Sequence, residues 1–584
     1  MMTAAGKPAA QRPGEAGVSA IGQLGALGRA LLRARGRHRV LAISAGLVAV
    51  IAINAAGQIR LNLWQGDFYD ALARKATGDF LVQTLVFLAI VAVLLALVVS
   101  QVWLLEMLKA RLREWLTNDL IGRWLAPSHA YRLGLAGEIG TNPDQRLHED
   151  ARKLTEHTAE LGVGLLQSTL LLASFVGVLW TLSAGVAFHW GERTFTVPGY
   201  MVWCALAYAA GGSALAWWRA RPLVRLNEAL YGREAELRFG MVRVAESAEG
   251  IALYRGESDE RARLGAMLDR VIDVMCRRAG GLAQLTWVTS AYGWLGIVAP
   301  VLVAAPGYFG GDLSFGGLMM VVGAFYQVQQ ALRWFVDNAP RIADWRATLT
   351  RVMALRDALD HIDRAARPDD AVPRLTVSRG DAPRFELRGV AVRLRNGEAH
   401  VAEGDVSVGR GERLLVVGAA GAGKSTLFRA IAGIWPWGRG EIVLPGSDGL
   451  LFLPNRPYLP PGTLRDSVIY PAPRGSVMDE AARTALSEVG LGHLAAELDR
   501  EARWDRELAL DEQQRLAFAR VLLHRPGWLF MDDAASALGG TERAALRATL
   551  DRLLGDMTVI AFERNGEEHA GFPRRIHVVR TAVP

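Results

Sequence analysis

Apolar residues form six long runs in the first part of the chain, separated by polar segments of unequal length. The runs occupy residues 40–59, 80–105, 161–182, 197–218, 282–308 and 318–336. Each run has few or no charges and is close to the length of about 20 residues that a helix needs to cross a bilayer. A buried helix of a soluble domain explains one such run, whereas six in succession predict a bundle of six transmembrane helices.

The segments after the second and fourth runs are long and charged, yet they keep a helical period. LKARLREWLTNDLIGRWL follows the second run, and RPLVRLNEALYGREAELRFGMVRVAESAEG follows the fourth. Neither contains the clusters of glycine, proline and small polar residues that mark loops. The pattern therefore predicts that the spanning helices continue well past the membrane on this side, while the other connections are short.

Basic residues dominate the segment before the first run. They are Lys7, Arg12, Arg29, Arg33, Arg35, Arg37 and Arg39, against Glu15 alone. Because lysine and arginine are retained on the cytoplasmic side, this leader predicts a cytoplasmic N-terminus and an uncleaved signal anchor. Six spans return the chain to the same side, so the C-terminal part is predicted to be cytoplasmic as well.

Composition agrees with a membrane portion and excludes several other classes. Hydrophobic residues make up 51% of the chain and charged residues 21%, which is too apolar for a disordered or fibrous protein. The net charge of +7 over 584 residues is explained by the positive-inside bias, and no nucleic-acid partner is predicted. Cys204 and Cys276 are too few for a disulfide scaffold and are interpreted as packing residues.

The density of apolar runs falls sharply in the last third of the chain, which indicates a second, soluble domain. We predict a leader over residues 1–39, a transmembrane domain over 40–345, a charged linker over 346–383 and a soluble α/β domain over 384–584.

A glycine-rich loop in the soluble domain follows an apolar run and precedes a helical pattern. Arg413-Leu-Leu-Val-Val leads into GAAGAGKS, which ends at Ser425. In this motif backbone amides surround a triphosphate, the lysine reaches the outer phosphates and the hydroxyl ligates magnesium. The residues predicted to bind the nucleotide are Gly418, Gly421, Ala422, Gly423, Lys424, Ser425 and Thr426.

A second apolar run, Trp528-Leu-Phe-Met, ends in the two carboxylates Asp532 and Asp533. Alone, such a strand end is more often a plain turn. Beside the glycine loop it predicts the acidic strand of a phosphate-loop nucleotidase. Asp532 is then a magnesium ligand together with Ser425, and Asp533 is the catalytic residue that polarises the attacking water.

In these residues and their order the chain resembles the ATP-binding cassette half-transporters. LFLPNRPYLPPGTLRDSVIYP is similar to the Q-loop region, LALDEQQRLAFARVLLHRP to the signature helix, SALGG to the D-loop and TVIAFER to the switch segment. The resemblance implies an exporter-like transmembrane bundle followed by a P-loop nucleotide-binding domain, with ATP and Mg²⁺ as cofactors. It also implies a second half-transporter as partner, expected to be an identical copy, and transport of a solute across the bacterial inner membrane.

Three segments of the membrane part resemble the subfamily of SbmA/BacA-type peptide-antibiotic and peroxisomal fatty-acyl transporters. They are LNLWQGDFYDAL at 61–72, NPDQRLHED at 142–150 and EGIALYRGE at 249–257. A purely structural role explains the first two segments as well as direct contact with the solute does: the first suits an interfacial helix, and the second suits an Asn-Pro turn. Peptides, cobalamin-like cofactors and acyl thioesters all stay open as the solute.

Several motif positions depart from the family pattern. Asn455 stands for the Q-loop glutamine, Ala509 and Asp511 for the signature serine and final glycine, Gly539 for the D-loop aspartate, Asp533 for the catalytic glutamate and Glu563 for the switch histidine. A carboxylate at 511 would occupy an anion site at a helix N-terminus, and a shortened Asp533 misplaces its water. Slow ATP hydrolysis is therefore predicted, with Asn455, Asp533 and Glu563 as the altered catalytic positions and Asn455 also as an altered metal ligand.

Two rival hypotheses stay open at this point. SbmA/BacA-type relatives without a cassette are thought to be proton-driven, so this cassette could serve only to regulate a secondary transporter. A cassette ATPase without any transport role is the second rival, and six membrane spans argue against it.

Overall fold

The computed structural model describes residues 20–34, 36–135, 143–190, 193–365, 374–394, 396–446, 449–563 and 571–581. Parts of all four predicted domains lie outside these ranges, among them leader residues 1–19 and 35, Asn142 of NPDQRLHED, and linker residues 366–373. The chain divides into two compact units, residues 1–129 with 133–361 and residues 130–132 with 362–584.

Residues 20–365 are almost entirely helical in the described ranges. The elements are α1 (Ala20–Arg33), α2 (Arg37–Ala73), α3 (Thr77–Trp124), α4 (His129–Gly134), α5 (Pro143–Gln145), a π-helical turn (Arg146–Asp150), α6 (Ala151–Ala184), the hairpin β1 (Phe188–Trp190) and β2 (Arg193–Phe195), α7 (Tyr200–Glu246), α8 (Ala248–Tyr254), α9 (Glu257–Phe309), α10 (Phe315–Asp337) and α11 (Ala339–Ala365).

The six predicted runs fall on six long helices, α2, α3, α6, α7, α9 and α10. Four of the described helical segments are long and apolar enough to cross a membrane, namely α2, α3, residues 143–184 and α9. Helices α7 and α10 are not in that group, because small and polar residues, including three glutamines in α10, dilute their apolar runs. Membrane crossing by these two helices stays a prediction.

The helices do continue beyond the apolar runs, as their period predicts. Helix α3 extends to Trp124, α7 to Glu246, and α9 begins at Glu257. Ion pairs one turn apart, such as Arg233 with Glu236 at 2.9 Å, support these exposed extensions by a few tenths of a kcal/mol each.

The range predicted as a linker contains regular structure. Helix α11 covers its beginning, and a strand at Thr376–Gly380 lies near its end. The charged residues of α11 keep a helical spacing, so charge alone did not distinguish a helix from a linker. The predicted domain bounds stay a prediction.

The soluble part combines a large sheet with short helices. Its strands are β3 (Thr376–Gly380), β4 (Arg384–Leu394), β5 (Gly397–Val401), β6 (Val406–Gly409), β7 (Arg413–Val417), β8 (Gly438–Pro445), β9 (Leu450–Leu453), β10 (Gly462–Thr463), β11 (Glu501–Ala502), β12 (Trp528–Asp532), β13 (Thr558–Phe562) and β14 (Arg574–Thr581). Its helices are α12 (Lys424–Ile431), α13 (Leu464–Ile469), α14 (Asp479–Glu488), a 3₁₀ helix (Gly492–Glu497), α15 (Trp504–Glu507), α16 (Leu510–His524) and α17 (Gly540–Leu553).

Ten described strands form one sheet in the order β3-β8-β4-β5-β14-β7-β13-β12-β9, with β6 paired to β4. Strands β14, β7, β13, β12 and β9 run parallel. Side chains alternate between the two faces, so Phe530 joins the cluster that contains Phe428 of α12, whereas Leu529 joins the cluster of α16. The loops after β7 and β12 therefore lie at the same edge of the sheet, where ligands of such folds bind.

Candidate nucleotide-binding site

At two positions of the loop from Gly418 to Gly423, the backbone adopts a conformation that favours glycine. Gly421 and Gly423 have φ angles of +76° and +102°. A Cβ atom on Gly423 would lie 2.5 Å from the Cβ of Ala399, and one on Gly418 would lie 2.5 Å from the carbonyl oxygen of Val578. The glycines therefore let the loop wrap closely around the start of α12, where free backbone amides attract phosphate.

Six of the seven predicted phosphate-binding residues, all except Gly418, line one cavity, which encloses about 1100 Å³ including space open to solvent. Its lining is Leu394, Asn396, Ala420, Gly421, Ala422, Gly423, Lys424, Ser425, Thr426, Asp533 and Arg580. The Lys424 ammonium donates hydrogen bonds to the carbonyl oxygens of Gly418 and Ala419, which holds its charge over the loop. This amide-rich, cationic cradle fits a triphosphate.

Ser425 lines the cavity and contacts Asp532, which is not part of the lining. The Ser425 hydroxyl donates a hydrogen bond of 3.0 Å to Asp532 Oδ1. Burial raises the pKa of Asp532 above its ordinary value, and the hydrogen bond from Ser425 opposes that shift. A hydroxyl and a carboxylate this close are hard oxygen donors, so the pair fits a magnesium ion.

Asp533 lines the same cavity and has an unusual backbone. Its φ angle is +49°, in the left-handed region where aspartate is better tolerated than most residues. Its backbone N–H donates to the carbonyl oxygen of Phe562 over 2.9 Å, which ties the end of β12 to the end of β13. The carboxylate is therefore carried by a turn of fixed geometry beside the phosphate loop.

Asn455 does not line the cavity in the described part of the chain. Its side-chain amide donates to Ser536 Oγ over 3.2 Å. Its backbone carbonyl oxygen accepts a 2.9 Å hydrogen bond from Gln514 Nε2. Gln514 is fully buried and also accepts from the backbone N–H of Ala537 over 2.9 Å. Gln514 was not predicted as a site residue from the sequence. It is a glutamine on a predicted helix that buries an apolar face, and this signal could have identified it.

Glu563 also lies outside the phosphate cavity. It lines a separate crevice with Arg543 and Arg547 of α17, and its backbone N–H donates to the carbonyl oxygen of Val416 over 3.2 Å. Burial raises the pKa of Glu563 to about 7, while the two arginines act in the opposite direction. The charge of Asp533 also raises this pKa, so Glu563 interacts electrostatically with a residue of the phosphate cavity although it does not line that cavity.

Ala509 and Asp511 form the start of α16, and neither lines the phosphate cavity of the described chain. The backbone N–H of Ala509 donates to Glu512 Oε2 over 3.0 Å. Arg515 Nη2 lies 3.5 Å from Asp511 Oδ2 and also pairs with Glu542. Their absence from this lining is consistent with the composite site that the resemblance implies, in which such residues would serve a second subunit.

Three residues outside the glycine-loop motif also line the cavity and were not predicted, namely Leu394, Asn396 and Arg580. Arg580 lies on β14, and its Nε donates to the carbonyl oxygen of Asn396 over 3.1 Å. Strand β14 is the neighbour of β7 in the sheet. No local motif marks these positions, because sheet order brings them to the site.

The subfamily segments of the membrane part have structural contacts. Trp64 donates its indole N–H to the carbonyl oxygen of Gln83 over 2.7 Å, and Asp70 accepts from the backbone N–H of Gly316 over 2.7 Å. Asp150 is buried and pairs with Arg351 at 2.8 Å. These contacts give LNLWQGDFYDAL and NPDQRLHED roles in packing helices together.

Comparison with protein families gives two matches. The profile for ABC transporter transmembrane region 2 matches residues 30–307, and the ABC transporter profile matches residues 402–536. An uncharacterized ABC transporter ATP-binding protein of Synechocystis is 32% identical over 80% of this chain and 69% of its own length. The chain belongs to the ABC transporter family. It is a half-transporter, with one transmembrane region followed by one ATP-binding domain.

Other ABC transporters resemble most of its length. The inner membrane ABC transporter ATP-binding protein YddA of Escherichia coli is 29% identical over 87% of each chain. The human lysosomal cobalamin transporter ABCD4 is 25% identical over 82% of each chain. A solved bacterial Atm1-family ABC exporter with ATP bound matches with a TM-score of 0.66 over 90% of this chain and 91% of its own, at 18% identity, and shows the fold.

These comparisons confirm the main predictions from sequence. The protein is a membrane-embedded, ATP-binding translocase that moves a solute across a membrane, and half-transporters of this family act as dimers. The fold class is confirmed as a helical exporter-like region followed by a nucleotide-binding domain. Proton-driven transport with a merely regulatory cassette is not favoured, since both halves match ABC transporter profiles.

Proposed function

We propose that two copies of this chain form a homodimeric transporter in the bacterial inner membrane, with magnesium and ATP bound between the cassettes. The observation that carries the proposal is the distribution of the site residues. The phosphate loop, Ser425 and Asp533 line one cavity, and Asp532 is hydrogen-bonded to Ser425, whereas Ala509 and Asp511 at the start of α16 are not part of that lining. A second copy supplies the missing signature helix to each cavity.

Binding rests on residues that keep the family pattern. Lys424 contacts the outer phosphates, and the amides at the start of α12 surround them. Ser425 and Asp532 hold magnesium, which neutralises charge on the phosphoryl oxygens when it is bound.

Hydrolysis is slow because three groups on the phosphate-loop side are altered. Asp533 keeps a carboxylate in the cavity but with a shorter reach, which displaces the water it orients. Asn455 uses its amide to hold Ser536, and Glu563 faces the arginines of α17. Neither of the last two side chains lines the phosphate cavity of the described chain.

The signature helix contributes a further alteration to the partner's site. Ala509 lacks the hydroxyl of the usual serine, and Asp511 places a carboxylate in the first turn of α16. A negative charge there interacts favourably with the helix dipole and competes with phosphate for the same amides. Arg515 offsets part of this charge.

The N-terminus and the cassette face the cytoplasm in this proposal, following the arginine-rich leader. The leader, transmembrane domain, linker and cassette are assigned to residues 1–39, 40–345, 346–383 and 384–584. The solute is a peptide, a cobalamin-like cofactor or an acyl thioester, and the human relative named as a cobalamin transporter supports including the second class.

Uptake and ATP hydrolysis by the purified protein in proteoliposomes test the proposal. A cationic peptide, cobalamin and an acyl-coenzyme A are offered in turn, with and without ATP and a protonophore. ATP-dependent, protonophore-resistant movement of one of them, lost in Asp532→Asn, is expected. Movement that needs a proton gradient and ignores the Asp532→Asn change would support the secondary-transport alternative instead.

A further inference from the structure

A cavity outside the nucleotide site lies where α1 and α2 meet α3. It encloses about 1030 Å³, including space open to solvent. Its lining is Leu31, Ala34, Gly36, Arg37, Arg39, Val40, Arg111, Glu114, Trp115, Asn118 and Asp119. None of these residues has a role in the proposed ATP site.

The sequence positions of the lining place the cavity at the edge of the apolar region. Arg39 directly precedes the first apolar run, and Arg111 follows the end of the second run at Leu105 by six residues, or about 9 Å of helix. Val40 packs in one apolar cluster with Leu31 and Leu108. The cavity thus has an apolar floor on the membrane side and a basic rim beyond it.

The charges around the cavity leave an excess of guanidinium groups. Arg111 pairs with Glu114 at 2.8 Å. Asp119 is shared between Arg123 at 3.2 Å and Arg356 at 3.5 Å, neither of which lines the cavity.

Arg37 and Arg39 complete the rim, and both are exposed. Both acidic groups of the lining are therefore already compensated, which leaves the rim with a net positive charge. Trp115 is half-buried beside it, and indole rings favour the level of lipid headgroups.

We propose that this cavity binds the headgroup of an anionic phospholipid, with its phosphate against Arg37 and Arg39 and its acyl chains along Val40 and Leu31. Basic recesses between helices at the cytoplasmic end of a membrane protein are suited to anionic headgroups. The lipid would hold the amphipathic helix α1 against α2 and α3. The site depends on membrane embedding and not on the proposed ATPase chemistry.

Native mass spectrometry of the full-length protein in detergent, with added phosphatidylglycerol or phosphatidylcholine, tests this site. The wild type is expected to retain phosphatidylglycerol in preference to phosphatidylcholine. Arg37→Gln with Arg39→Gln should bind phosphatidylglycerol about thirtyfold more weakly, the loss expected for two basic residues near an anionic surface. Arg261→Gln with Arg270→Gln, which removes the same charge from exposed positions of α9, should bind as the wild type does.

Three results would overturn the site. Equal retention of the two lipids excludes headgroup recognition, and an equal loss in the α9 control shows that only overall charge matters. Full displacement of phosphatidylglycerol by millimolar inorganic phosphate indicates a site for free anions. If the double variant cannot be purified, Arg39→Gln alone gives the same comparison, with a smaller expected loss.

Discussion

Gly423 and Ala399 approach so closely that a Cβ atom on Gly423 would lie 2.5 Å from the Cβ of Ala399. Gly421 also has a positive φ, but a Cβ there would have open space around it. Gly421→Ala should therefore incur only backbone strain of about 1–2 kcal/mol, whereas Gly423→Ala adds a steric clash that must move the loop. We expect at least tenfold weaker ATP binding for Gly423→Ala than for Gly421→Ala, measured by titration of the purified transporter. Equal affinities would show that the loop relaxes without cost.

Lys424 supplies a cation over the phosphate loop, so ATP binding should depend on it. ATP at about 100-fold above its Kd stabilises a folded protein by about 2.7 kcal/mol. The wild type should show a corresponding rise in Tm, and Lys424→Ala should show none. Lys153→Ala removes a lysine from α6 and should keep the full rise. A rise of the same size in both variants would exclude this ATP site.

ATP hydrolysis should increase when the altered positions are restored to the family pattern. Loss of one transition-state donor costs on the order of a hundredfold in rate. Ala509→Ser with Asp511→Gly should raise kcat, and Asp533→Glu and then Glu563→His should raise it further. Asp511→Asn removes the charge but keeps the volume, and separates the two effects. Brisk hydrolysis by the unmodified dimer that none of these changes affects would contradict the proposal.

The stability of the protein should depend on the ionisation of Glu563. Its pKa of about 7 in the folded state exceeds the ordinary 4.5, so folding favours the protonated form. That contribution is fully present below about pH 4.5 and is lost as the pH rises through about 7. The Tm of Glu563→Gln minus the Tm of the wild type should therefore increase by a few degrees as the pH rises from about 5 to about 8. The exposed Glu501→Gln should show no such trend, and a flat difference for Glu563→Gln would refute the assignment.

Cysteine labelling can test the orientation in the membrane. The exposed Cys204 and Cys276 are first replaced by alanine. Thr196→Cys, in the exposed connection before α7, should react with an impermeant maleimide in whole cells, because positive-inside bias places that connection outside. Asp381→Cys, exposed between β3 and β4 of the soluble part, should react only after lysis. The reverse pattern would invert the topology.

Local patterns were sufficient to predict the elements that carry strong periodicity or a motif. The six apolar runs fall on long helices, and Arg413–Val417 and Trp528–Asp532 are strands, as predicted. Charge patterns were less informative, because the helix that covers the start of the predicted linker is itself polar. The physical reason is that tertiary packing, here the pair of Asp150 with Arg351, stabilises a helix that its own sequence marks only weakly.

The sequence alone indicated the cavity-lining residues that belong to one loop, but not those that sheet pairing brings to the cavity. Lys424 and Ser425 needed only the motif. Arg580 reaches the cavity because β14 is placed beside β7, and Glu563 turns towards Arg543 of α17. Such pairings are set by long-range contacts, which a motif aligned by family resemblance does not contain.

Gln514 connects three segments of the soluble part through its side chain. One end of its amide holds the carbonyl oxygen of Asn455, and the other holds the backbone N–H of Ala537. Because the side chain is fully buried in α16, the loop of Asn455, that helix and the loop that follows Asp533 are held in one arrangement by a single residue.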